Sequence, residues 1–371
     1  MPWMHYLMID RRAFLKLSGA SLAASAVPAC GGIEKIPAVG VPRSHFDADS
    51  TAEDVTRGLD LGGKLAVVTG CTSGIGFETM RVLALRGARV VGTSRSQENA
   101  HAACLRVRGR TIPLQLDLAN MDSVGACADA IRNINSPLDV LICNAGYLGG
   151  SDERELVNGI EKHFAINHLG HFVFVNRLLG RVYMSDQGRI SVVSSRAAYT
   201  RAPQAGIQFH NLDAAKDYDD MRAYGQSKLA NALFSLHLSK LLRGTRITTN
   251  SLHPGVINTE IDRNLGRLEQ FGFATLAAFG GTKSVEQGAA TSCFVATHPS
   301  LGATSGQYFE DCNAVTVPGT QLHNEVMAEE LWRVSEDLMR DHLVSHTGPD
   351  YNDFERGMLK WQEDRNAGTT E

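Results

Sequence analysis

No Cys-x-x-Cys pair occurs anywhere in this chain of 371 residues. The cysteines Cys30, Cys71, Cys104, Cys127, Cys143, Cys293 and Cys312 are scattered. That pattern excludes a cysteine zinc cluster or a redox dithiol of the usual spacing. It also argues against a disulfide framework, so most of these residues read as small buried hydrophobes. A block of Lys and Arg is missing too. The net charge is -4 and the pI about 6.4, so no basic field exists to draw in nucleic acid. The histidines form no tight ligand set. His168 and His171 would make half a metal site at most and read better as packing residues, so no metal is expected. Internal repeats of short period are also missing.

What is present is an ordinary globular balance, 43% hydrophobic and 20% charged, with ample material for a large core. Length alone would allow two or three domains, so motifs must decide.

Residues 1–30 read as an address rather than as structure. Arg11-Arg12 precedes a weakly apolar stretch, Leu17 to Val27, too short to span a bilayer as a mature helix. The pair resembles a twin-arginine export signal. Val27-Pro28-Ala29-Cys30 resembles a lipobox, although Pro28 is unusual there, and would place a lipid anchor on Cys30. The expected location is therefore periplasmic or membrane-anchored. The plainer alternative is a basic leader on a cytoplasmic protein.

Residues 31–49 carry prolines and glycines without periodicity and read as a linker. Ser50-Thr51-Ala52-Glu53 fits a capping box, which predicts a short helix through Val55 to Arg57, closed by Gly58. Linker and helix together make up a segment 31–62. From 63 to 343, short apolar runs alternate with helical periods. Strands are predicted at 65–69, 89–93, 111–116, 138–143, 189–193 and 246–252. Helices are predicted over 75–87, 122–133, 155–184 and 221–243. This alternation predicts a single catalytic α/β domain, a three-layer doubly wound Rossmann fold with a mostly parallel sheet. Residues 344–371 read as a polar tail.

Thr69-Gly70-Cys71-Thr72-Ser73-Gly74-Ile75-Gly76 joins the first strand of this domain to its first long helix. Glycines allow a tight turn and a close approach to a pyrophosphate, and the helix N-terminus offers free N–H groups. Gly70, Thr72, Ser73, Gly74, Ile75 and Gly76 are therefore candidate cofactor contacts. The next strand ends in Thr93-Ser94-Arg95, with no Asp or Glu to bind a ribose 2′-hydroxyl. Arg95 would neutralise a 2′-phosphate instead, which favours NADP(H). Its plainer reading is a solvated loop cation.

Tyr224 and Lys228 stand at i and i+4, on one face of a helix. A phenol has a pKa near ~10, and an adjacent ammonium lowers it toward useful proton transfer. Alone, that spacing occurs on many surface helices.

Taken together, Thr69–Gly76, Cys143-Asn144-Ala145-Gly146, Ser194-Ser195 and Tyr224–Lys228 resemble the short-chain dehydrogenase/reductase family, over about residues 50–343. Phe164–Phe172, Ala223–Asn231 and Leu252–Gly255 are similar to the retinol-dehydrogenase-like and WW-domain-oxidoreductase-like branch. The resemblance implies Tyr224 as general acid and base, Lys228 as holder of the nicotinamide ribose, and Ser195 as hydrogen-bond donor to the substrate oxygen. Asn167 would support a water-linked proton path to the lysine. Asn144, Ala145 and Gly146 would line the cofactor side, and Asp117 would contact adenine. Pro254, Gly255 and Thr259 would close over the carboxamide. Cys143 replaces an asparagine common in the family, and the stretch between Ser195 and Tyr224 is longer than in compact members.

Phe271, Phe273, Leu276 and Phe279 follow Thr259, where the family places a lid. An apolar lid suits a lipophilic alcohol or carbonyl such as a retinoid, steroid or long-chain aldehyde. The same residues would equally suit a helix core or a homodimer contact, the family's usual pairing being through helix surfaces. Two alternatives stay open: a nucleotide-binding redox sensor or interaction protein without turnover, and a protochlorophyllide-reductase-like C=C reductase.

Overall fold

The computed structural model describes residues 33–149, 153–257 and 282–343. The leader with Cys30, Thr259, the apolar segment 271–279 and the tail 344–371 lie outside the described residues.

Every residue of the strand β2 (Leu65–Val68) is apolar and buried. Alternate side chains leave opposite faces of a strand, so Leu65 and Val67 join one core while Ala66 and Val68 join another. β5 (Val140–Cys143) divides in the same way, with Leu141 and Cys143 on the first side and Val140 and Ile142 on the second. The remaining strands of the main sheet are β1 (Ile36–Pro37), β3 (Arg89–Ser94), β4 (Arg110–Gln115), β8 (Arg189–Val193), β9 (Thr248–His253), β10 (Tyr308–Glu310) and β11 (Asn313–Thr316). The sheet runs β1-β11-β10-β9-β8-β5-β2-β3-β4. From β4 to β10 each pair is parallel; β11 and β1 add antiparallel strands at one edge. Proline occurs in both edge strands, Pro37 in β1 and Pro113 in β4.

α1 (Ala52–Val55), α2 (Gly74–Leu85), α3 (Gln97–Leu105) and α8 (Val285–Thr297) supply the second core. α4 (Met121–Arg132), α5 (Gly170–Tyr183), α7 (Asp220–Leu241) and α9 (Glu325–Met339) supply the first, and the short α6 (Ala197–Thr200) joins that side through Ala198. This is the three-layer, mostly parallel arrangement that the alternation predicted. Among the described residues no helix is long and apolar enough to cross a membrane. The cysteines among them are buried and unpaired.

Three local readings are corrected. The helix predicted over 155–184 begins instead with a hairpin, β6 (Leu156–Val157) and β7 (Ile160–Glu161), followed by a π-helical turn at Phe164–Leu169 and then α5. The cause is Asn158-Gly159, whose positive φ values of 51° and 81° turn the chain as a two-residue hairpin loop does. The capping box shifts by one residue. Thr51 Oγ1 accepts from Asp54 N at 3.2 Å and the Asp54 carboxylate accepts from Thr51 N at 3.1 Å. Ser50 is used elsewhere, its hydroxyl accepting from Asp47 N. Finally, the stretch read as a linker is docked. Ile36 and Pro37 pair with Thr316 and Val315, and Ser44 Oγ donates to the Cys312 carbonyl at 2.9 Å.

Candidate active site

The parallel strands deliver the loop candidates to one edge, because each of these follows the C-terminal end of a strand, whereas Asn167, Tyr224 and Lys228 are carried by helices. Gly70 follows β2, Arg95 β3, Asp117 β4, Asn144 β5, Ser195 β8, and Pro254 and Gly255 β9. Ligand crevices of open α/β sheets form at that edge.

Two of these loops are bonded to one another. Thr69 Oγ1 accepts from Asn144 N and Ala145 N, both at 2.9 Å, and Asn144 Nδ2 donates to the Thr69 carbonyl at 2.8 Å. Space there is too small for side chains. A Cβ on Gly76 would lie 2.1 Å from the Gly70 carbonyl oxygen, and Gly70 itself has φ 73°. Ser73 caps α2 without a side-chain hydrogen bond, and the first turn holds no acidic residue. The first-turn amides and the positive end of α2, with Gly74 and Ile75 in that turn, are therefore left to an anion. These features fit the pyrophosphate of a dinucleotide.

Arg95 is exposed and its guanidinium has no ion pair among the described residues. A cation that sequence reasoning missed lies close to the Gly70–Gly76 loop. Arg106 sits 4.2 Å over the Phe77 ring and reaches the Thr72 carbonyl at 3.5 Å, the limit of a hydrogen bond. Asp117 is half-buried, with Oδ1 accepting from Ala119 N at 3.0 Å.

A dense group of polar side chains occupies the other end of the crevice. Asp219 caps α7 by accepting from Arg222 N at 2.7 Å, and the helix carries Tyr224 and Lys228 one turn apart. Lys228 is 3% exposed; Nζ donates to the Val193 carbonyl at 3.2 Å and lies 5.8 Å from the Tyr224 ring centre. Burial pulls its ammonium pKa down to about 8. Ser194 Oγ turns back to donate to the Lys228 carbonyl at 2.7 Å, whereas Ser195 Oγ accepts from Ala197 N at 3.2 Å. Asn167 stands in the π-helical turn and is wholly buried. Its side chain accepts from Tyr147 N, and donates to the Tyr147 carbonyl and to Ser227 Oγ, both at 2.9 Å. Gly146 passes directly over this group, its Cβ position only 3.2 Å from Lys228 Nζ.

His163 was also missed. Its ring meets the Tyr224 ring edge-on at 5.9 Å. Gly149 N donates to Nε2 at 2.9 Å, so Nδ1 carries the proton and gives it to Glu161 Oε1 at 2.8 Å. Only knowledge of the β6–β7 hairpin would have brought Glu161 into this role. His168 and His171 do not act as a pair. His168 Nε2 lies 2.8 Å from Ser335 Oγ, with Phe164, Phe172 and Phe234 around its ring, and burial lowers its pKa to about 3.

A helix end shaped for phosphate and a tyrosine–lysine helix on one crevice of a parallel sheet belong to oxidoreductases that work with a nicotinamide nucleotide. Comparison with known proteins gives the family. The model of the short chain dehydrogenases matches residues 64–208. The chain is 40% identical to the short-chain dehydrogenase TIC 32 A, chloroplastic, of Brassica napus, over 80% of this chain and 95% of that one. It is 38% identical to mouse retinol dehydrogenase 12, over 76% and 89%, and 36% identical to the human WW domain-containing oxidoreductase, over 85% and 78%. Among solved structures, a protein of Mycobacterium paratuberculosis superposes with a TM-score of 0.60 at 28% identity, covering 77% of this chain and 97% of that one. This chain belongs to the short-chain dehydrogenase/reductase family, in the branch that holds those oxidoreductases and retinol dehydrogenases.

Proposed function

We propose that the protein is an NADP(H)-dependent oxidoreductase that interconverts an alcohol and a carbonyl on a lipophilic substrate. The observation that carries this reading is the buried Lys228 ammonium one helical turn from Tyr224, beneath the Gly146 loop. Gly70 to Gly76 would hold the pyrophosphate, Lys228 and Asn144 to Gly146 the nicotinamide riboside, and Pro254 and Gly255 the carboxamide. When bound, the nicotinamide supplies or takes up the hydride. Tyr224 Oη gives its proton to the carbonyl oxygen in reduction and takes it back in oxidation. Lys228 favours the phenolate by its charge, more strongly in a site without water. Ser195 Oγ donates a hydrogen bond to the same substrate oxygen. Asn167 fixes the Tyr147 segment beside the lysine and supports proton return to it. Arg95, with Arg106 beside the Gly70–Gly76 loop, favours a 2′-phosphate over a bare ribose.

The apolar residues between Phe271 and Phe279 support a lipophilic substrate. Export through the twin-arginine-type segment, with lipidation of Cys30, forms part of the same proposal. Its test is the membrane fraction of cells making the full chain beside Cys30→Ala.

The deciding experiment is NADPH oxidation against aldehydes of increasing chain length and ketones, run beside Tyr224→Phe. Turnover should fall roughly 10³-fold in the variant while NADPH binding persists, and kcat/KM should rise with chain length. NADPH binding with no turnover on any substrate would favour a nucleotide sensor instead.

A further inference from the structure

The histidine of α5 nearest the cofactor loop takes part in none of the steps above, yet its hydrogen bonds leave it one arrangement. Thr69 Oγ1 already accepts two backbone N–H groups, from Asn144 and Ala145. A hydroxyl has two acceptor sites and one proton, so Thr69 has only its proton left to place. His171 Nε2 is 3.0 Å away, while the Ile142 carbonyl lies at 3.5 Å. Nε2 therefore accepts. The ring proton of the neutral imidazole then resides on Nδ1, which faces the Asn167 carbonyl at 3.0 Å and donates to it. The ring is 1% exposed, and burial draws its pKa down to about 4, so it is neutral over the working range. A neutral histidine with both nitrogens engaged cannot swap tautomers without breaking two buried hydrogen bonds.

The two ends of this bridge matter separately. Thr69 is the point where the Gly70–Gly76 loop and the Asn144–Gly146 loop are tied together. Asn167 is the residue whose side chain holds Tyr147 and Ser227, and whose Oδ1 lies 3.6 Å from the Cβ position of Gly146, itself beside Lys228 Nζ. We propose that His171 is a positioning residue, a single-tautomer strut that fixes the Asn167 carbonyl relative to Thr69 and so couples the nucleotide loop to the proton-handling side chains. This rests on the oxidoreductase reading above.

Asparagine and glutamine separate the two halves of the ring. An asparagine amide nitrogen overlays Nδ1, and a glutamine amide overlays Nε2. His171→Asn should keep the bond to Asn167 and lose the one to Thr69. The expected result is NADPH binding weakened about fivefold, with kcat within about twofold of wild type. His171→Gln should keep NADPH affinity, lower kcat about tenfold, and shift the limb of the kcat–pH profile set by the Tyr224–Lys228 pair. His171→Leu should show both losses. Equal losses in all three variants that follow thermal stability alone would overturn the proposal, as would unchanged kinetics. The tautomer is read without any turnover. Ring nitrogen-15 shifts of wild-type protein, with the variants for assignment, should show protonated Nδ1 and no titration near pH 6.5. A protonated Nε2, or ordinary titration, would sink the proposal even in a fully active enzyme. An inactive enzyme with the expected tautomer and the Asn/Gln split in NADPH affinity would remove the oxidoreductase reading while leaving the strut in place.

Discussion

The loop after β2 and the middle of α7 face the same crevice but are made of different material. Around Gly70 to Gly76 the working groups are main-chain amides, and the design consists of omitting side chains: glycines where a Cβ would collide, and an N-cap serine that leaves the helix end open. Around Tyr224 the working groups are side chains, and they are buried polar ones: Asn167, Ser227 and Lys228, with His163 and His171 close by. The first kind of site is cheap to fold, because peptide dipoles come with the helix. The second kind costs stability, since each buried polar atom must find a partner and the lysine must give up hydration. On the proposed roles, the comparison teaches that stability is given up at the side chains that would handle protons rather than at the loop that would bind phosphate.

Lys228→Met tests that difference most severely. Turnover should fall about 10³-fold. The cofactor-free protein should nevertheless become more stable at pH 7, by up to roughly 3 kcal/mol. The sign follows from a native pKa lowered to about 8 from the 10.5 of a free lysine. Between those values the unfolded chain holds a proton that the native chain has released, so wild-type stability rises with pH across that window. Below pH 8 the native state bears the full cost of the buried ammonium. Urea titrations at pH 7 and pH 10 should show the gain of the methionine variant shrinking as pH rises. A destabilised variant at pH 7 would break the comparison.

Gly76→Ala attacks the main-chain side. With the Gly70 carbonyl 2.1 Å from the new Cβ and Asn144 Nδ2 at 2.4 Å, the loop must open. NADPH affinity should drop about 100-fold, read by fluorescence titration. Arg95→Ala should be milder and selective, raising KM for NADPH about tenfold while leaving KM for NADH within twofold. An equal effect on both nucleotides would mean that Arg95 does not read the 2′-phosphate.

Much of the scaffold was legible because its signals are local. The apolar runs at 65–68 and 189–193, the glycine loop before α2 and the Tyr224–Lys228 spacing each lie within one element. The misreadings have a different origin. The Asn158-Gly159 turn was itself a local signal, but the apolar period of α5 that follows it masked it. Two-residue β1 has no periodicity to detect and exists only because β11 offers it a partner. Thr69 and His171 are separated by 102 residues, and Lys228 and Val193 by 35, so their contacts appear only after the sheet has assembled. For the same reason the neutral state of His171 and the lowered pKa of Lys228 could not be read from residue types.

The prolines in the two outermost strands bear on how copies of this protein can meet. Pro37 has no N–H to offer a further strand in β1, and Pro113 interrupts the outer row of donors in β4. Both ends of the ladder are thus poor templates for another chain, which discourages fibril-like growth at high local concentration. Among the described residues, then, the main sheet offers a second copy little purchase at either outer strand.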